Sequence, residues 1–267
     1  MNKMHYITSP SNTKIKDIKS LYRKKDRWDN RLFIIEGIKI VEECIDNNYP
    51  LENIIFSEEL LNIKGGNRLF NKIKGYENLI NIPLKLFKEI SDTENPQWIM
   101  ATAKFRENYI EEVYDLNNPI LLLLEEIQDP GNMGTIIRTA DAFNIDGIII
   151  TTGSVDIYNP KVVRSTMGSI FRTPIYHISN KLETVERLKN CGYKIYSTSL
   201  EAKKYIQEID FNKGSVILIG NESQGISKEI SSLANELIKI PIPGNAESLN
   251  ASIASSIIMY EAMRQRI

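Results

Sequence analysis

The chain has 267 residues, 42 % of them hydrophobic, enough to fill the cores of two domains, and its longest apolar run, Ile120–Leu124, stops at Glu125 and Glu126, far short of a membrane span. Cys44, Cys191, His5 and His177 stand apart from one another, which excludes a disulfide framework and a zinc site of closely spaced ligands; both cysteines read as small buried hydrophobes. The net charge of −1 hides a split, because residues 1–106 hold 18 Lys and Arg against 14 Asp and Glu while residues 107–267 hold 15 against 20, so the first part is mildly basic and suits a polyanion.

Nothing at the N-terminus resembles a signal peptide, and the expected location is the cytoplasm. Ser9-Pro10-Ser11-Asn12 reads as a turn and helix cap. Ile15, Ile18, Leu21 and Tyr22 follow at helical spacing, with Lys14, Lys16, Lys19, Arg23, Lys24 and Lys25 between them, which predicts one amphipathic helix with a basic outer face. Residues 31–36 read as a buried strand that turns at Gly37 into a helix carrying Ile40, Val41, Cys44 and Ile45 on its inner side. Further strands are expected at Asn53–Phe56 and Trp98–Phe105, with a lysine-containing helix and loops between them. Residues 1–106 are thus expected to form one α/β domain. The polar stretch 107–118, ending before Pro119, reads as a linker.

Residues 119–267 then alternate. Strands are predicted at Ile120–Leu124, Gly147–Thr151, Ile175–Ile178, Lys194–Ser197, Ser215–Gly220 and Leu237–Ile240, and helices at Met133–Phe143, Lys181–Asn190, Lys228–Ala234 and Ala251–Arg264. This order predicts a mostly parallel sheet covered on both faces.

Four segments carry candidate chemistry. Asp129 to Ala140 places glycines and polar residues directly after a buried strand, where an α/β protein receives a ligand. An ordinary strand-to-helix turn capped by Asn132 explains it too, but Gly131 and Gly134 do not make the G-x-G-x-x-G of a dinucleotide-binding loop. Val162 to Ser169 reads equally as a functional segment and as a helix ending at Gly168. Ile217 to Ile226 sets Glu222 between Gly220 and Gly225 at a strand end, a poor choice for packing alone. Ile240 to Ala254 runs from a proline-rich loop into a helix, with Ser248 readable as its cap.

In this order the four segments resemble the motifs of the SpoU (TrmH) family of SPOUT methyltransferases. Asn132, Gly134, Arg138 and Ala140 follow its N-x-G-x-x-x-R-x-A; Arg164, Ser165, Gly168 and Pro174 match its second motif; Gly220, Glu222 and Gly225 make G-x-E-x-x-G; Ser248, Leu249, Asn250 and Ser252 make S-L-N-x-S. Ser169 stands where the family often has Ala, and Ala251 where Val is frequent. The resemblance implies S-adenosylmethionine-dependent methylation of RNA ribose 2′-hydroxyls by a metal-free homodimer. It implies an α/β fold with a trefoil-knotted, mostly parallel sheet domain. Ahead of it, Phe33, Glu36 and Gly37 resemble the family's appended RNA-binding domain, similar to ribosomal protein L30e.

Carried over residue by residue, the resemblance gives the cofactor to backbone groups of Gly220, Ile240, Leu249 and Asn250, and the reaction centre to Asn132, Arg138, Glu222, Ser248 and Asn250. It leaves open whether Arg138 takes the hydroxyl proton or only stabilises the developing oxyanion. The appended domain favours 23S ribosomal RNA as substrate, with transfer RNA as the alternative. A nucleotide-dependent oxidoreductase and a catalytically inactive RNA-binding relative are the competing readings. The first lacks its third glycine, and the second is opposed by Asn132, Arg138, Glu222 and Asn250 standing together.

Overall fold

The computed structural model describes residues 4–221 and 223–267 in two compact units, one built from the chain up to Arg106 together with Tyr158–Phe171, the other from Glu107–Ile157 and Arg172–Ile267. The first unit runs β1 (His5–Tyr6), α1 (Thr13–Ser20), α2 (Lys24–Asn30), β2 (Leu32–Glu36), α3 (Ile38–Asp46), β3 (Leu51–Phe56), α4 (Gly66–Ile73), β4 (Leu79–Asn81), α5 (Leu84–Ile90) and β5 (Ile99–Lys104). Its five strands lie in the order β1-β4-β3-β5-β2. β4 pairs in parallel with β1 and β3, and β5 runs antiparallel to β3 and β2.

The single helix expected over residues 13–25 is two helices. Arg27, 2 % exposed, explains the break, since its Nη1 donates to the carbonyls of Leu21 (2.8 Å) and Tyr22 (2.9 Å). A buried guanidinium thereby satisfies carbonyls that an uninterrupted helix would have satisfied itself. The apolar side chains still face inward as the spacing predicts: Ile15 and Ile18 pack with Ile55, Ile80, Phe87 and Met100. Cys44 is buried, and desolvation pushes its thiol up to about 12. Cys191, by contrast, is exposed. It follows the last turn of a surface helix, so the expectation that it is buried fails there.

The second unit begins inside the stretch read as a linker. Val113 is fully buried among Leu121, Tyr176 and Tyr193, and the Tyr193 hydroxyl donates to the carbonyls of Val113 and Leu116, each at 2.8 Å. Val113, with Ile110 and Tyr114 packed partly buried against the same cluster, and two backbone acceptors fasten an otherwise polar segment to the core. β6 (Ile120–Leu124), α6 (Pro130–Ala142) and β7 (Gly147–Thr151) follow. The chain then returns to the first unit for α7 (Pro160–Thr166) before β8 (Ile175–Ile178), α8 (Lys181–Asn190), β9 (Lys194–Thr198), β10 (Lys204–Tyr205), β11 (Ser215–Ile219), α9 (Lys228–Ser231), β12 (Glu236–Lys239) and α10 (Ala251–Arg264). The sheet order is β10-β12-β9-β11-β6-β7-β8, with every pairing parallel. β6, β7 and β11 are buried at every residue, as strands covered on both faces must be. No helix among the described residues is long and apolar enough to cross a membrane.

The return of Tyr158–Phe171 to the first unit is held by aromatic packing. Tyr158 stacks on Phe105 with ring centroids 3.7 Å apart and meets Phe33 at 4.7 Å, and Phe171 meets Tyr49 at 4.9 Å. Tyr158 and Phe171 are 4 % and 2 % exposed. Tyr158→Ala should therefore cost about 3–5 kcal/mol of stability, the range for losing a buried aromatic, as read by chemical denaturation. A fragment starting at Asn118 should expose both rings and bind a hydrophobic dye that the full chain does not.

Candidate functional site

All the parallel strands of the second unit end on one edge, and the loops that leave this edge are where such a sheet receives ligands. A cavity of about 690 Å³ lies beside the ends of β9, β11 and β12, a volume within the range of small-molecule sites. Its walls come from Thr198 at the end of β9 and Ser199–Glu201 after it, from Gly220–Asn221 and Ser223–Ile226 after β11, and from Lys239 at the end of β12 and Ile240, Ile242 and Ala246–Leu249 after it, with Ala254 and Ile258 of α10. Three of the four segments singled out from the sequence are thus elements of the same region, and two of them wall the cavity directly.

Gly220 is required there by close approach. A Cβ on it would lie 2.1 Å from the carbonyl carbon of Gly225 and 2.3 Å from the nitrogen of Ile226, so the loop folds back against its own backbone only with glycine at this place. Gly225 takes φ +68°, and its N–H donates to the Asn221 carbonyl at 2.9 Å. The Asn221 side chain accepts from the N–H groups of Ser223 (2.9 Å) and Gln224 (3.2 Å) and donates to the Glu126 carbonyl at 3.0 Å. The lining combines apolar Ile219, Ile240, Leu249 and Ile258 with the acidic residues Glu201 and Glu247 and the basic residue Lys239. That donor set fits a ligand with a flat apolar ring system, a cationic centre and a carboxylate, as S-adenosylmethionine has.

The polar residues of the first and last motifs meet beside it. α6 begins at Pro130, with Asp129 as its cap: Asp129 Oδ1 accepts from the Asn132 N–H at 2.7 Å. Asn132 therefore lies in the first turn and does not cap the helix. α10 is capped by Asn250, not Ser248; Asn250 Oδ1 accepts from the N–H groups of Ser252 (2.9 Å) and Ile253 (3.3 Å) and from the Ser252 hydroxyl (2.7 Å). The remaining donor of Asn250, Nδ2, goes to Asn132 Oδ1 at 3.0 Å. The two helices are joined again by Thr139 and Ser256, whose hydroxyls are 3.2 Å apart. Arg138, on α6, is exposed, as is Ser248. Glu222 lies outside the described residues.

Gly220, Ile240, Ser248 and Leu249 are thus brought to one cavity, and Asn132 and Asn250 are bonded to each other next to it. The second motif is not part of this group. Arg164, Ser165 and Gly168 belong to the first unit, where Arg164 Nη2 lies 3.5 Å from Asp92 Oδ2 and α7 ends in left-handed backbone at Met167 (φ 52°) and Gly168 (φ 100°). A helix ending at Gly168 is the reading that the backbone supports. Thr198–Glu201 were missed. They carry no glycine signature, and only the position at the end of a parallel strand beside β11 would have pointed to them.

Comparison with known proteins bears on the same elements. The SpoU rRNA Methylase family model matches residues 119–260, and that of the MRM3-like substrate binding domain matches residues 12–101. The chain is 32 % identical over 96 % of its length to the 23S rRNA (guanosine(2553)-2'-O)-methyltransferase RlmP of Bacillus subtilis, covering 98 % of that protein. It is 28 % identical to the 23S rRNA (uridine(2479)-2'-O)-methyltransferase of Streptomyces viridochromogenes, over 88 % of this chain and 83 % of that one. The crystal structure of an AdoMet-bound rRNA methyltransferase from Sinorhizobium meliloti superposes with a TM-score of 0.87 at 30 % identity, covering 99 % of each chain. Since the family match runs from the residue before the first strand of the parallel sheet into the last helix, the chain belongs to the SpoU rRNA methylase family.

Proposed function

We propose that the protein is an S-adenosylmethionine-dependent ribose 2′-O-methyltransferase whose substrate is 23S ribosomal RNA. The observation that carries this reading is the cavity walled by the Gly220 loop and the Ile240–Leu249 segment, next to the Asn132–Asn250 pair at the facing helix starts. The named activities of the Bacillus and Streptomyces relatives, both 2′-O-methylation of 23S rRNA, support the substrate class. The unit built on residues 1–106 serves as the RNA-binding domain, 107–118 connects it, and 119–267 carry the chemistry.

When bound, S-adenosylmethionine supplies a methyl carbon made electrophilic by its sulfonium sulfur. Backbone groups of Gly220, Ile240, Leu249 and Asn250 hold it. Arg138 places its guanidinium cation beside the ribose 2′-oxygen and stabilises the negative charge that grows there as the hydroxyl gives its proton to water. Asn132 and Asn250, fixed against each other, orient the sugar, and Ser248 holds the loop that enters α10. Much of the acceleration then comes from in-line placement of the acceptor oxygen. Glu222 is assigned to orient Arg138 on its motif alone.

The same reading includes a trefoil knot in the second unit. It includes a homodimer in the cytoplasm. Ile253 and Tyr260, seven residues apart on one face of α10, are 49 % and 50 % exposed, which suits a helix that buries this face against a second copy.

Arg138→Ala should lower single-turnover methylation by about 100-fold or more, the scale for removing an oxyanion-stabilising donor, while S-adenosylmethionine affinity by calorimetry changes little. Arg138→Lys should also be poor, because an ammonium lacks the planar fork; near-normal rates in either variant would remove Arg138 from the reaction centre. Ile253→Asp combined with Tyr260→Asp should convert the dimer to a folded monomer in sedimentation experiments, and an unchanged mass would rule out this face. The central test replaces the target nucleotide by its 2′-deoxy counterpart: methyl incorporation should vanish with RNA affinity nearly unchanged, and a deoxy substrate that is still methylated would place the acceptor on the base.

A further inference from the structure

Glu125 stands outside every motif and is 3 % exposed. It follows the last residue of β6, and its two oxygens are both used. Oε1 lies 2.5 Å from Lys181 Nζ, at the start of α8, and Oε2 accepts from the Ser227 N–H at 2.7 Å. Lys181 Nζ also donates to the Ser227 hydroxyl at 3.3 Å. Burial alone would push the Glu125 carboxyl up, but the hydrogen bonds from Lys181 and Ser227 outweigh it and hold the carboxyl below its ordinary range. A buried ion pair gains little over apolar packing of the same volume. What this one does is fix an arrangement.

The arrangement is that of the loop after β11. Its entry is held by the Glu125 N–H, which donates to the Ile219 carbonyl at 2.8 Å. Its middle is held by the Glu126 carbonyl, which accepts from Asn221 Nδ2 at 3.0 Å. Its exit is held by the Glu125 carboxylate at Ser227. Glu126 reaches this position in left-handed backbone, φ 54°, a conformation costly for a side chain with a Cβ, and its own N–H is tied to Thr151 Oγ1 at 3.2 Å. Two consecutive residues therefore hold the loop at three points. Along this stretch Gly220, Asn221 and Ser223–Ile226 wall the cavity, whereas Glu125 and Lys181 do not.

We propose that Glu125, with Lys181 as its counter-charge, is a positioning residue for S-adenosylmethionine: it holds the 220–227 loop where that loop forms the cavity wall, without touching the cofactor. This rests on the cofactor reading above. Calorimetric titration of S-adenosylmethionine into the full-length wild type, Glu125→Gln, Lys181→Met and Lys181→Arg tests it, with RNA affinity and amide hydrogen exchange measured on the same samples. Glu125→Gln and Lys181→Met should weaken cofactor binding by about tenfold or more, on the scale of one charge-assisted hydrogen bond. The Ser227 and Gly225 amides should exchange faster, RNA affinity should stay put, and Lys181→Arg should recover most of the cofactor affinity. A merely structural pair would lower the melting temperature and leave the cofactor Kd alone, and that result in folded Glu125→Gln overturns the proposal. If Glu125→Gln does not fold, the Lys181→Met and Lys181→Arg comparison decides in the same way. A wild type that binds no S-adenosylmethionine overturns the functional reading and this proposal together.

Discussion

At the carboxyl edge of the parallel sheet the backbone of Gly220 runs so close to Gly225 and Ile226 that even a methyl group would not fit between them. The rest of the site depends on that approach. With the loop folded back against itself, Asn221 can reach to Glu126 while turning its oxygen toward Ser223 and Gln224, and Ile240 and Leu249 line the same cavity. Any larger residue at 220 would overlap the Gly225 and Ile226 backbone and force the loop out of this arrangement.

Parallel pairing supplies the second condition. Because β9, β11, β6 and β12 all run the same way, every loop leaving a carboxyl end emerges on one side, so segments far apart in sequence converge without any long-range recognition between their side chains. The polar contacts then refine what the sheet has gathered. Asn250 illustrates this, since it spends its oxygen on the start of α10 and its nitrogen on Asn132, and one amide thereby fixes the separation of two helix starts.

Much of this was legible in the sequence, and the reasons differ from place to place. β6 is a continuous apolar run, and β7 and β11 are apolar apart from Thr151 and Ser215; all three are buried at every residue, which is the pattern least open to other readings once helices alternate with them. Short elements left no such trace: β1 has two residues and β4 three, too few for any periodicity. The break between α1 and α2 depends on where the Arg27 guanidinium ends up, a tertiary fact. Glycine and proline marked the loops of the site, so Gly220 and the Ile240–Asn250 segment stood out, whereas Thr198–Glu201 line the same cavity with residues of no special conformation. The cap positions were displaced by a few residues, to Asp129 and Asn250, because several neighbouring polar side chains are equally able to cap and only the packed geometry selects among them.

The aromatic docking of Tyr158–Phe171 bears on how the chain is made. During synthesis the N-terminal portion emerges first, yet the first unit lacks Tyr158, α7 and Phe171 until the ribosome has moved past residue 171. Until then Phe33, Tyr49 and Phe105, 0 %, 5 % and 8 % exposed in the finished protein, have no rings to pack against from that segment. All of residues 107–157, including β6 and β7, leave the exit tunnel in the interval. Completing the first unit is consequently a late closure across a long intervening stretch, with the entropic cost and delay that such closures carry. The nascent chain must hold its leading segment in an unfinished state while the parallel sheet is already under construction behind it.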